Sequence, residues 1–134
     1  MIAQTHRFHG HNKIDAVYRR SQTLRGNLMN LKYTTGNGQR PYRAAVVVSK
    51  KVSKSAVVRN HIRRRLYEII RQFDGAPLVG TELVFIVYSD QLASLESARL
   101  KAAAHDLLHR ATNSTNRDDQ RAIIDTMSTT EEER

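Results

Sequence analysis

The hydrophobic pattern along the chain switches between two periods. From Met29 to Tyr33, Met29, Leu31 and Tyr33 alternate with Asn30 and Lys32, the period-two signature of a half-buried strand, and the stretch Ser21 to Thr35 reads as strand. Thr35 to Pro41 is a loop by its glycines and proline. Tyr42 to Ser49 follows, and its continuous run Ala44-Ala45-Val46-Val47-Val48 predicts a central strand covered on both faces. Beyond it the period lengthens. Val58, Ile62, Leu66, Ile69 and Phe73 recur at helical spacing, so Ser49 to Phe73 reads as a short basic loop running into a helix, which Ser53 or Ser55 can cap. Asp74-Gly75-Ala76-Pro77 ends that helix, and Leu83 to Tyr88 is a second central strand. A strand, a helix and a strand in succession form a crossover, which makes the two strands parallel.

Shorter elements flank this unit. Asn12 can cap a helix from Lys13 to about Arg20 with Ile14, Val17 and Tyr18 on its apolar face. Ser94 is placed to cap a last helix with Leu100, Ala103, Ala104, Leu107, Leu108 and Ala111 inward. Residues 1–10 are expected to be mobile at first, and 113–134 to form a polar, disordered tail in which Arg117 to Met127 can be transiently helical. The domain expectation is therefore one α/β sandwich over 1–112 followed by a tail over 113–134. No internal repeat is present.

Composition sharpens this picture. The chain has 134 residues, enough for one domain with its own core, and no cysteine, which excludes disulfides and thiolate metal sites. The longest apolar runs are too short to span a bilayer, and no signal peptide is visible, so a cytoplasmic protein is expected. The net charge of +9 is unevenly placed. Residues 1–71 hold 16 Lys and Arg against Asp15 and Glu68, a balance of +14, whereas 111–134 hold three Arg against six acids, a balance of −3. The basic part is the globular part, which points to a polyanionic partner. An anionic membrane surface fits less well, because no helix pairs its basic face with exposed large apolar residues.

The long helix concentrates this charge. Its polar face carries Asn60, Arg63, Arg64, Tyr67 and Arg71, with Lys50, Lys51 and Lys54 just ahead of it, while Arg59 and Arg65 flank the apolar stripe on stems that can swing outward. Glu68 is the only acid on the helix. A planar guanidinium matches phosphate oxygens two at a time, and Asn60 adds a directional donor and acceptor. Machinery for catalysis by the chain itself is not legible. There is no Gly-x-Ser-x-Gly elbow, no phosphate-binding glycine loop and no pair of acids at helical spacing. His6, His9 and His11 lie close together but lack an evident fourth ligand, and His105 and His109 have only Asp106 beside them. The chain reads as a binding module.

Ser49-Lys50-Lys51, followed by Arg59-Asn60-His61-Ile62-Arg63-Arg64 and Glu68, resembles the signature of the protein subunit of bacterial ribonuclease P. The resemblance runs from about Arg7 to Ala111, with His61 where the motif usually has Arg and Tyr67 where it has a second Arg. It implies an α+β fold: a small two-layer α/β sandwich with a four-stranded mixed sheet, three helices and a strand-helix-strand crossover that is left-handed, against the general right-handed rule. It also implies two binding surfaces. Lys50, Lys51, Lys54, Arg59, Asn60, His61, Arg63, Arg64, Tyr67 and Arg71 would hold the catalytic ribonuclease P RNA. A cleft between the first helix and the sheet would hold the 5′ leader of precursor tRNA, with Ile14 and Tyr18 at its helix side. Met29, Leu31 and Tyr33 lie on the strand that supplies the rest, at a register the sequence leaves open. Simple packing of the first helix accounts for Tyr18 equally well. The resemblance further implies that cleavage belongs to the RNA, through Mg2+ held mainly by RNA phosphates, with no protein-built metal site, no membrane and no further protein partner. A structural RNA-binding protein, such as a ribosomal one, and a self-sufficient nuclease are the rival readings.

Overall fold

The computed structural model describes residues 6–8, 11–35, 41–73 and 78–112, with the side chains of 11–15 left aside. The elements in order are α1 (His11–Arg20), β1 (Gln22–Arg25), β2 (Met29–Thr34), β3 (Arg43–Val48), α2 (Ala56–Phe73), β4 (Glu82–Val87), a 3-10 turn (Asp90–Ala93) and α3 (97–112). The strands form one sheet in the order β1-β2-β4-β3. β1, β2 and β4 pair antiparallel, while β3 and β4, the two strands joined through α2, pair parallel.

The stretch expected as one strand from Ser21 to Thr35 is two. Gly26-Asn27-Leu28 turns the chain back, with the Gly26 N–H donating to the Met29 carbonyl at 3.0 Å. A Cβ at Gly26 would stand 2.6 Å from that same oxygen, so the tight turn needs glycine. A second expectation also changes. β3 lies at the sheet's edge, not its centre. Its apolar run arises because both faces are covered: Ala44, Val46 and Val48 sit in the main core, and Ala45 packs with Val17 and Val84 on the other side. β4 is central, as its run of apolar residues implies.

Register explains how the two faces divide. Leu24 opposes Leu31, Leu31 opposes Phe85, and Phe85 opposes Val46, so one row of large side chains crosses all four strands. This row meets Ile62, Leu66, Ile69 and Ile70 of α2 and Leu100, Ala104, Leu107, Leu108 and Ala111 of α3 in the main core. The neighbouring row, Thr23–Lys32–Val84–Ala45, faces the opposite way, where Val17 of α1 is fully buried against Ala45 and Val84. The sheet is thus covered by α2 and α3 on one face and by α1 on part of the other.

Helix ends follow local chemistry. Ser55 rather than Ser53 caps α2, its Oγ accepting the Val58 N–H at 3.3 Å, while the Ser53 Oγ accepts the Ser55 N–H. Ser94 closes the 3-10 turn instead of capping α3, and Ala103 is exposed rather than inward, because Leu100, Ala104, Leu107, Leu108 and Ala111 already complete the buried stripe. The loop expectations at 36–40 and 74–77 and the tail at 113–134 lie outside the described residues. Among the described residues no helix is long and apolar enough to cross a membrane.

Candidate nucleic-acid interface

The basic residues of α2 have three different structural fates. Arg59 donates to the Ser53 and Lys54 carbonyls at 2.9 and 3.1 Å, fastening the Ser49–Ser55 loop to the helix. Arg63 donates to Asn60 Oδ1 at 2.8 Å and to the Val48 carbonyl at 3.3 Å, joining α2 to the outer edge of β3. Tyr67 helps close the same edge, its hydroxyl oxygen accepting the Val46 N–H at 3.2 Å. Arg65, which the sequence allows to swing outward, turns inward. It donates to the Leu92 and Leu95 carbonyls at 2.6 and 2.5 Å and ties the 3-10 turn to α2. Arg64 is exposed, and its side chain makes no hydrogen bond or ion pair among the described residues.

With Asn60 Oδ1 engaged by Arg63, the Asn60 amide NH2 is the group left for a partner. Asn60, Arg63, Arg64 and Tyr67 line a shallow depression of about 210 Å³ on the solvent side of the helix. Lys50, Lys51, Lys54 and His61 are exposed around the helix start. Arg71 sits one turn further on and pairs with Glu68, whose carboxyl is held below the usual carboxylate range by that hydrogen bond. The positive field is therefore strongest at the first half of α2 and its loop. Its lysines, with Arg64, can meet phosphates, while Arg59, Arg63 and Tyr67 hold the backbone that presents them.

The second sequence-predicted surface needs a correction. Met29, Leu31 and Tyr33 are 2%, 0% and 3% exposed and lie in the main core under α2 and α3. They cannot line a cleft on the α1 side, because successive side chains of a strand point to opposite faces. The β2 residues on the α1 face are Asn30, Lys32 and Thr34. Lys32 Nζ lies 5.2 Å from the Tyr18 ring centroid, within cation–π range. Phe8, Tyr18, Val47 and Ile86 are half-buried around Val17, Ala45 and Val84, leaving an apolar strip with a cationic, aromatic margin. Ile14 falls in α1, but its side chain lies outside the described residues, as do His9 and the His11 side chain. Phe8, Lys32, Val47 and Ile86 were missed in sequence. The period-two rule would have found Lys32 once the core side of β2 was known.

His6 stacks on Tyr42 with ring centroids 3.9 Å apart, and its Nδ1 is 2.9 Å from the Tyr42 carbonyl oxygen. Arg7 continues as a parallel bridge to Ala44, so the N-terminal segment covers part of the β3 edge. Among the described residues, no group of three or more His, Cys, Asp or Glu could hold a metal ion.

A family model described as Ribonuclease P matches residues 2–112. The chain belongs to the ribonuclease P protein family. The ribonuclease P protein component of Synechococcus sp. (strain JA-2-3B'a(2-13)) is 32% identical over 114 residues, covering 83% of this chain and 85% of that protein. That of Brevibacillus brevis is 30% identical over 106 residues, covering 79% and 80%. Among solved structures, the Staphylococcus aureus RNase P protein aligns with a TM-score of 0.69 at 16% identity, over 81% of this chain and 96% of that one. The Thermotoga maritima RNase P protein aligns at 0.67 and 21%, over 78% and 96%. These likenesses establish the expected α+β sandwich. Family membership places the chain in tRNA 5′ processing, as the protein part of an RNA-catalysed endoribonuclease in which the protein alone is not the catalyst. Its partner in that ribonucleoprotein is RNA.

Proposed function

We propose that this ribonuclease P protein uses its two faces for two RNAs. The Ser49–Ser55 loop and the first half of α2 hold the catalytic RNA subunit, with Lys50, Lys51, Lys54, Asn60, His61 and Arg64 toward phosphates. The strip between α1 and the open sheet face holds the single-stranded 5′ leader of precursor tRNA. The observation that carries the second assignment is the Lys32 ammonium beside the Tyr18 ring at the edge of an apolar strip. Single strands are held by cations tracking the backbone and by aromatic rings stacking on bases, and both parts lie side by side here. Bond cleavage falls to Mg2+ held mainly on RNA phosphates, where a metal-activated water can act as nucleophile. The protein's share is to screen charge on one face and to position the leader with the other.

Reconstitution with the catalytic RNA tests this directly, comparing precursor with mature tRNA. Tyr18→Ala is expected to weaken precursor binding about five-fold, corresponding to roughly 1 kcal/mol at the low end of base–aromatic stacking, and to leave mature tRNA unaffected. Equal loss for both substrates would reduce Tyr18 to a packing residue of α1.

A further inference from the structure

A cavity distinct from the α2 depression and the α1 strip lies beside α3. It measures about 380 Å³ and sits between the β1–β2 turn and α3. Its floor is apolar, formed by Leu28, Met29, Leu95 and Leu107, with the exposed Ala103 on the α3 side. Its rim is cationic. Arg99 and Arg110 line it from α3, and the end of β1 at Arg25 borders it, against a single acid, Asp106, which pairs with Arg110 at 3.4 Å. Arg99 is exposed and its side chain makes no hydrogen bond or ion pair among the described residues, while Arg25, opposite Asn30, belongs to the row that faces the α1 side. An apolar floor flanked on one side by the Arg99 and Arg110 guanidinium groups suits one ligand chemistry, a nucleobase with its flanking phosphates.

Sheet register says which RNA supplies it. Met29 pairs with Val87, and Val87 pairs with Val48, so the 26–28 turn and the Ser49–Ser55 loop leave the sheet at the same end. In the order β1-β2-β4-β3 the hairpin and β3 are two to three strand spacings apart, on the order of 10–14 Å. The cavity floor belongs to the main core, on the sheet face covered by α2 and α3 and opposite the α1 strip. It therefore lies at the same end of the sheet as the Ser49–Ser55 loop and on the face that carries α2.

We propose that this cavity receives an unpaired nucleotide of the catalytic RNA, with its base on the Leu28–Leu95–Ala103 floor and its phosphates on Arg99 and Arg110. The inference rests on the assignment of the α2 surface to that RNA. It makes the RNA-holding face two-part, a phosphate-screening helix and a pocket that takes in a base.

The test is the affinity of the full chain for the ribonuclease P RNA across a series of salt concentrations. The double variant Arg99→Ala, Arg110→Ala is expected to bind at least ten-fold more weakly, with a salt slope lower by about two units. Ala103→Glu, which fills the cavity with a negative charge at an exposed site, should weaken binding similarly without lowering the melting temperature. Lys101→Ala removes a cation from the same helix but from the groove facing α2, and should change affinity less than two-fold. Affinity within two-fold of the parent for the double variant and for Ala103→Glu, or a loss no larger than that of Lys101→Ala, overturns the proposal. So does a loss confined to precursor tRNA with affinity for the RNA subunit unchanged. Arg64→Ala separates the two readings: weakened binding there beside unaffected cavity variants removes the cavity alone, whereas no effect from Arg64→Ala removes the α2 assignment.

Discussion

Arg64 and Arg65 are neighbours in a run of three arginines, and the structure gives them opposite jobs. Replacing Arg65 with Met keeps the aliphatic stem and removes both hydrogen bonds to the Leu92 and Leu95 carbonyls. Hydrogen bonds involving a charged group are each worth roughly 1.5–3 kcal/mol net. These two share one guanidinium and are only partly buried, so water can replace part of each, and a joint loss of about 2 kcal/mol is expected. For a domain of this size that lowers the melting temperature by about 8 °C. Once folded, Arg65→Met should keep the parent's salt slope for RNA binding, because the lost guanidinium faced the protein. Arg64→Ala should do the reverse, melting like the parent while losing about one unit of slope. Thermal melts followed by circular dichroism, paired with RNA titrations at several salt concentrations, measure both. If Arg65→Met lowers the slope and Arg64→Ala lowers the melting temperature, the division of labour along α2 is wrong.

Three further outcomes are expected. Gly26→Ala should destabilise the fold by about 1–3 kcal/mol in chemical denaturation, since the added methyl meets the Met29 carbonyl oxygen and backbone must move. Lys32→Ala should weaken precursor tRNA binding more than mature tRNA binding and leave affinity for the RNA subunit unchanged, because Lys32 lies on the α1 face; competition binding with the three RNAs reads this out. His105 has its pKa lowered, first by burial and then by Lys101 and His109, and it meets the edge of Phe73. Its folded-state pKa thus lies below the unfolded value near 6.5, so its neutral form contributes stability that is complete above that value and declines as pH falls toward the folded pKa. The melting temperature should drop between pH 7.5 and 5.5, and His105→Leu should flatten that drop.

Much of the fold was legible because its signals are local. A helical stripe such as Ile62–Leu66–Ile69 and a period-two run such as Met29–Leu31–Tyr33 depend only on how side chains project from a regular backbone. The clustering of Lys50, Lys51, Lys54 and Arg64 around one helix start is equally a matter of sequence, as is the choice of Ser at its cap. These determined the class of partner and the element that meets it. Gly26-Asn27 is a turn-forming pair, and the reading of one strand from Ser21 to Thr35 did not use it.

Tertiary structure decided what depends on pairing between distant segments. A two-residue period says that Met29, Leu31 and Tyr33 share a face, but not which face. Only pairing with β4, and the docking of α2 and α3 against the row through Leu31 and Phe85, sends those three into the core and Lys32 to the α1 side. The β3 run resembles a central strand because α1 packs one face and α2 the other, and coverage of faces is independent of rank in the sheet. Identical guanidinium groups at positions 63, 64 and 65 project about 100° apart, so one reaches the β3 edge, one water and one the 3-10 turn. The cavity beside α3 exists only because β-register brings the 26–28 turn to Leu107, residues some eighty positions apart whose meeting no local pattern encodes.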